Sequence, residues 1–364
     1  MILEILPGVL DKDLEIRKRN TMAKAVKLSD IAEKVGVSTV SVSKALSGKG
    51  GVSSQIQEQI ERVANELGYV SKADAMKRKN GSTGNIGVLL PQRFVGQNTF
   101  YWGLYQEIVN ALATRGYYGI LELLPVEDEK KNVIPKMIVD KKVDGVVVLG
   151  QARAEFTKFL YEIQLVPVIF LDYYVGKGEY DTVISDGFHG MYRLTNYLIE
   201  MGHREIGFVG TTLATSSITD RYLGYVKALM EAGIEPKKEW LIPDRELGTD
   251  AFVEFMLPGR MPTAFACNCD VVAYRLIRKL KEQGLHVPED ISIVGYDNYA
   301  YEDDSQDPVT TYDVGMRRMA ETCVKTLVNK IYGDRYYKGV QIVTGHIVYK
   351  KSVRDISRRG GEHD

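Results

Sequence analysis

LSDIAEKVGVSTVSVSKAL, residues 28–46, reads as two short helices around a break. Leu28, Ile31, Ala32 and Val35 recur at helical spacing, Gly36 interrupts them, and Ser38 offers a hydroxyl to cap the second helix. In that second helix Val42 and Leu46 supply an inward face, and the small Ala32 lets it pack close against the first. Thr39, Val40, Ser43 and Lys44 are left on the outer side. A third amphipathic stretch, SSQIQEQIERVANELGY (53–69), keeps Ile56, Ile60, Val63 and Leu67 in register. Three helices without a β-run predict an all-α helix-turn-helix head over residues 22–69, whose outward second helix suits the DNA major groove.

The chain changes character on either side of this head. Residues 70–83, VSKADAMKRKNGST, are polar, basic and glycine-ended, a linker with helical potential. From residue 84 short β-branched runs alternate with amphipathic stretches: NIGVLL, YYGILELL, DGVVVLG, VPVIFLD, DTVISD, EIGFVG, TAFACN and DISIVGYD. Gly116, Gly202, Gly233 and Gly284 read as helix stops between them. This alternation predicts a parallel α/β body over 84–355. Its size suits two Rossmann-like lobes with a ligand cleft between them.

Composition narrows the function classes. Apolar residues are 45% and charged residues 26% of 364, a globular balance in a chain long enough for two or three domains. Residues 22–80 hold ten Lys/Arg against six Asp/Glu, whereas 81–364 hold 33 against 38, so a basic head sits on an acidic body. That asymmetry suggests nucleic acid at one end only. No apolar run approaches a membrane span, and MILEILPGVL places Glu4 ahead of Arg17, Lys18 and Arg19, the reverse of a signal peptide. Three cysteines make no secreted-type disulfide framework, and a reducing cytoplasm is expected.

The motifs resemble the lactose-repressor/galactose-repressor (LacI/GalR) family. Asp30-Ile31-Ala32, Gly36-Val37-Ser38, Val42-Ser43-Lys44-Ala45-Leu46 and Glu66-Leu67-Gly68-Tyr69 stand at the family's spacing. IGVLLP, VIFLD, Ile199 to Arg204, R-x-x-G-Y, P-E-D-I-S-I-V-G-Y-D and S-V-R-D carry the likeness through 84–355. The resemblance implies a two-lobed, periplasmic-binding-protein-like (type I) ligand domain with chain crossovers near 185, 312 and 345. It also implies a homodimer on double-stranded operator DNA, answering to a sugar or sugar-phosphate effector that changes the angle between lobes. Residues 1–21 are then an extension before a natural start at Met22, and 356–364 a tail too short for a tetramerising coil.

By the same resemblance Ser38, Thr39, Val40, Ser43 and Lys44 face DNA, with Thr39 and Val40 at base-reading positions. Their methyls suit thymine; Lys44 is left to read a guanine or hold a phosphate. Two departures stand out. Lys27 replaces a threonine cap on the first helix, and Arg78 holds the place of the hinge leucine that wedges into the minor groove. Met76 is the alternative wedge, and a phosphate-binding strap is the alternative role for the segment.

For the ligand, Asp172, Arg221 and Asp297 match the family's sugar-contacting positions. Carboxylates at strand ends and a forked donor also suit hydroxyl groups on chemical grounds. Phe100, Tyr101 or Trp102 offers a ring for a sugar face, core packing being the ordinary use of at least one. Asp270 opens a helix where relatives carry Asn-Asp and this chain has Cys269-Asp270, so one amide partner is expected to be missing.

Other signals carry less. Cys267-x-Cys269 has no second pair for zinc, GKGGVS (48–53) lacks P-loop spacing, and the five histidines form no nucleophile–base constellation. No cofactor and no catalysis are expected. The rival readings are a catabolite regulator whose corepressor is a phosphorylated carrier protein, and a cytoplasmic sugar-binding protein, transport component or carbohydrate enzyme without a DNA role.

Overall fold

The computed structural model describes residues 26–46, 51–67, 69, 81–95, 99–177, 179–249, 251–299 and 308–357. They divide into a unit ending at Asn80 and a body that starts at Gly81, with residues 114–116 grouped apart from the latter.

The head has α1 (Leu28–Val35), α2 (Thr39–Leu46) and α3 (Ser54–Leu67). Its core is Ile31, Ala32, Val42, Ala45, Ile60, Val63 and Ala64. Gly36 ends α1 at φ 77°, a left-handed position that a Cβ would strain, and returns its N–H to Ala32 O at 2.9 Å. Ser38 Oγ accepts from Ser41 N at 3.1 Å, the expected cap of α2. Lys27 supplies no side-chain cap, as its chemistry dictates. Instead Asp30 reaches back and accepts the Lys27 N–H at 2.8 Å, which satisfies one donor of that turn. One expectation fails: Ile56 is 37% exposed, because the α3 stripe that meets α1 and α2 begins a turn later at Ile60.

In the body, β1 (Asn85–Pro91), α4 (Thr99–Ala113), β2 (Tyr118–Leu124), the short α5 (Val126–Lys130) and α6 (Lys136–Val139), β3 (Gly145–Leu149), α7 (Ala154–Glu162), β4 (Val168–Leu171) and β5 (Thr182–Ser185) build the first lobe. After α8 (Gly187–Glu200) come β6 (Ile206–Val209), α9 (Ser216–Glu231), β7 (Leu241–Ile242), β8 (Ala264–Cys267), α10 (Asp270–Glu282) and β9 (Ser292–Val294), the second lobe. Then β10 (Thr311–Asp313), α11 (Met316–Tyr332), β11 (Val340–Val343) and β12 (His346–Val348) close the fold.

Among the described residues the two main sheets are parallel, with orders β11-β5-β4-β3-β1-β2 and β7-β6-β8-β9; β10 and β12 pair antiparallel. β11 hydrogen-bonds β5, and α11 packs on β3, β4, β5 and α4, so both belong to the first lobe although they come late in the chain. The backbone therefore passes between lobes after Ser185, after Asp313 and between Val343 and His346. All eight apolar runs of the sequence become strands. β7, β10, β11 and β12, which sequence periodicity did not mark, are two to four residues long.

Two details position the rest. Asp144, just before β3, gathers the start of the body: its carboxylate accepts from Ser82 Oγ (2.5 Å), Thr83 N (2.7 Å) and Oγ1 (2.9 Å), and Gly84 N (2.9 Å). Gly224 of the R-x-x-G-Y motif lies where α9 meets α8, and a Cβ there would stand 2.1 Å from Phe188 O.

Candidate functional site

The cleft between the two lobes of the body is built from strand ends and helix starts. Asp172 follows β4 and Asp297 lies beyond β9, both where parallel strands finish. Each holds a positive φ, 71° and 108°, which costs a non-glycine residue about 1–3 kcal/mol and is tolerated where the surroundings impose it. Arg221 projects from α9 of the second lobe.

These three side chains meet in one buried group. Arg221 Nη2 donates to Asp297 Oδ1 at 3.2 Å, its Nη1 to Asn268 O at 2.7 Å, and its guanidinium lies 4.0 Å from the Tyr296 ring centroid. Its Nε is buried without a protein partner. Asp172 Oδ2 accepts the Tyr101 hydroxyl at 3.1 Å. Burial pushes Asp172 up to about 6, against the pull of Arg221 and Tyr101. Burial also pushes Asp297 up to about 7, opposed by Arg221 and reinforced by Asp172. Arg221 stays charged in spite of burial because Asp297, Tyr296 and Asp172 surround it. The group therefore offers one committed cation, two adjustable carboxylates and an unfilled donor, all able to hydrogen-bond hydroxyl groups.

The other expected ligand residues divide. Tyr101 and Phe100 line the cleft. Trp102, the next residue along α4, is a correction: it is outside the cleft lining, 37% exposed, and meets Tyr105 edge-on. One residue's advance turns a helical side chain by about 100°, so three consecutive aromatics cannot share a face. Asp270 lines the wall, but its oxygens are taken by Thr311 Oγ1 (2.7 Å) and Tyr299 N (3.1 Å), and burial beside Asp297 raises its carboxyl well above the usual range. It ties α10 to the strand ends.

Sequence reasoning missed two neighbours. Asn268 brings an amide to the wall one position before the expected place; its Nδ2 is held by Val209 O and Asp244, while its Oδ1 is buried without a protein partner. Arg245 lines the cleft, paired with Asp244 at 2.7 Å. Asn268 was detectable as a polar residue ending an apolar strand run; Arg245 lies in a loop without pattern. Cys267 and Cys269 are buried with thiols raised by burial, and no group of three or more metal-ligating side chains occurs among the described residues.

The raised carboxyls have a consequence for stability. A carboxyl whose folded pKa exceeds its unfolded value binds more protons in the native state between the two. Its contribution is fully present near pH 4 and is lost as pH rises through 6 and 7. The melting temperature of Asp297→Asn minus that of the parent chain is therefore expected to increase from pH 4.5 to 7.5. A flat difference curve would mean that Asp297 titrates normally. The comparison isolates Asp297 from buried His203, whose ring is lowered by burial and acts in the opposite sense.

In the head, Thr39, Val40, Ser43 and Lys44 are exposed along α2 away from buried Val42 and Ala45, with Val40 at 60% exposure, and Ser38 is exposed at the cap of that helix. Met76 and Arg78 lie outside the described residues. Lys34 and Glu66 pair at 2.9 Å on the head surface, tying α1 to α3.

Comparison with known proteins bears on the head and the body as domains. Residues 27–72 match the family described as bacterial regulatory proteins, lacI family, and 195–353 match a periplasmic binding protein-like domain. The HTH-type transcriptional repressor PurR of Erwinia tasmaniensis is 29% identical over 333 residues, 90% of this chain and 97% of its own length. That of Glaesserella parasuis is 29% identical over 84% of this chain and 89% of its own. Among solved structures, the transcriptional regulator CelR–cellobiose complex shares the fold at TM-score 0.63, with 23% identity over 90% of this chain and 99% of its own. The lac repressor dimer bound to operator and an anti-inducer does so at TM-score 0.61, with 23% identity over 91% and 100%. No helix of the described residues is long and apolar enough to cross a membrane. This chain therefore carries a lacI-family helix-turn-helix domain followed by a periplasmic-binding-protein-like domain, and relatives similar to it over nearly their whole length are DNA-binding transcriptional repressors.

Proposed function

We propose that this regulator is a cytoplasmic, sugar-responsive repressor that binds a pseudo-palindromic operator as a homodimer and performs no catalytic step. The observation that supports the ligand class is the Asp172–Arg221–Asp297 group: it joins residues of both lobes and presents carboxylate acceptors and an unfilled guanidinium donor in one cleft, chemistry that suits sugar hydroxyls. The CelR neighbour was solved with cellobiose, which supports a saccharide in a cleft of this fold.

Thr39 and Val40 read bases through apolar contact, and Lys44 adds charge at the groove. A second copy is supported by β2, the outer edge of the larger sheet, which exposes Tyr118 (77%) and Leu123 (39%). The ligand acts by favouring one arrangement of the lobes, and the linker passes that preference to the heads; by reciprocity a ligand that releases DNA binds less tightly to the DNA complex.

Mobility shift with the DNA upstream of the protein's own gene, with and without a panel of mono- and disaccharides and their phosphates, tests this. Binding by two chains per site, weakening steeply between 50 and 200 mM salt and altered by one sugar, is the expected result. Folded protein that shifts no such DNA would overturn it.

A further inference from the structure

The cleft continues beyond the Asp172–Arg221–Asp297 group into a second chamber that shares Phe94 and Thr215 with the first. The charge changes sign along it. The inner chamber holds Arg221 between Asp172 and Asp297, while its other cation, Arg245, is committed to Asp244. It has no positive charge to spare.

The outer chamber is lined by Arg93, Lys130 and Arg153 against the single carboxylate of Glu129. Glu129 is itself consumed: its side chain is fully buried, pairs with Arg93 Nη1 at 2.6 Å, and accepts the Arg153 N–H at 2.6 Å. Arg93 also donates to Gln151 O. Arg153 and Lys130 remain exposed at the rim. Lys130 has only a surface pair with Glu127 at 3.0 Å, both half exposed or more, which solvent screens.

Two helix starts add to this field. Arg153 opens α7, which has no side-chain cap, and Thr215 caps α9, whose Ser216 N–H is held by Gln151 Oε1 at 2.8 Å. Helix N-termini favour anions, and here they border a chamber that also carries excess guanidinium and ammonium groups.

We infer that the effector is a phosphorylated saccharide, its sugar hydroxyls on Asp172, Arg221 and Asp297 and its phosphate in the outer chamber against Arg153 and Lys130. This rests on the reading of the inner chamber as a sugar site. An anionic group placed inward instead would face two carboxylates sharing one guanidinium, so the phosphate end is fixed outward and the polarity of the ligand is set.

Calorimetric titration of the full chain with glucose, fructose, trehalose, cellobiose and sucrose, each against its 6-phosphate, and with inorganic phosphate, tests the inference. One 6-phosphate is expected to bind at least tenfold more tightly than its parent. The double variant Lys130→Glu/Arg153→Glu, altered only at exposed positions, is expected to erase that advantage while leaving the parent's affinity within twofold. A parent sugar that binds as well as its phosphate, or a ratio unchanged by the double variant, overturns the phosphate assignment and leaves the sugar reading intact. If no saccharide binds in either form, the sugar reading itself fails, and the phosphate assignment with it.

Discussion

Arg221→Met is expected to abolish the response to effector, with affinity falling more than about 100-fold, while the folded protein still binds operator DNA. Two charge-assisted hydrogen bonds are at stake at the centre of the site, and each contributes about 1.5–3 kcal/mol. The substitution also leaves Asp172 and Asp297 buried without their cation, a situation that typically costs about 3–5 kcal/mol. That cost has a pH signature. At pH 7.5 the parent's carboxyls are largely ionised beside Arg221, whereas in the variant burial without a cation raises them further, so they must stay protonated or ionise unpaired and the variant melts well below the parent; at pH 5, below the values of about 6 and about 7 that they hold beside Arg221, both chains carry them protonated and the deficit shrinks. Melting curves at the two pH values, with titration of the effector, check both parts. A deficit that does not change with pH would mean that Arg221 stabilises by packing on Tyr296 and not by compensating charge.

Gly224→Ala should be strongly destabilising for a single added methyl. The new Cβ would sit 2.1 Å from Phe188 O, and the obstacle is backbone, so no rotamer change relieves it. Helices α8 and α9 must separate, at a cost of about 3 kcal/mol by the overpacking range. For a body of this size that lowers the melting temperature by roughly 6–12 °C. Gly233→Ala, at φ 67° with open space around it, provides a strain-only comparison and is expected to lose less. Equal losses would show that α8 and α9 yield easily.

Much of this architecture can be read from residues alone, for identifiable reasons. Ile31, Val42 and Ile60 bury because helical periodicity admits one inward face, and Gly36 ends α1 because its backbone must turn left-handed there. The eight legible strands wrote apolar runs: seven are buried along nearly their whole length, as strands covered on both faces are, while β2 kept its run although it is a half-exposed edge. β11 was not: it is an edge strand carrying Gln341 and a 58%-exposed Ile342, and its place beside β5 comes from a contact across more than 150 residues. In the cleft, Asp172 and Asp297 stood out as charges at the ends of apolar runs, and Arg221 through the resemblance carried by R-x-x-G-Y. Asp270 looked the same in sequence, yet Thr311 and Tyr299, both distant in the chain, take its oxygens. Trp102 misled because an aromatic cluster does not say which of its members faces inward. The outer chamber's charge was invisible, since Arg93, Lys130 and Arg153 come from three separate loops and helix ends.

The late return of the chain to the first lobe has a consequence for how the protein is made. Between the synthesis of β1 at residue 85 and of β11 at residue 343 the ribosome adds most of the body, which at cellular rates takes roughly 13–50 seconds. The head, whose core ends at Ala64, has by then been free to fold. The larger sheet meanwhile lacks its β11 edge and its α11 cover, so the apolar faces of β3, β4 and β5 wait uncovered until the last residues emerge. A newborn molecule can thus hold a finished DNA-reading head while its sensing half is still open to chaperones, to proteases and to aggregation with its neighbours on the same message.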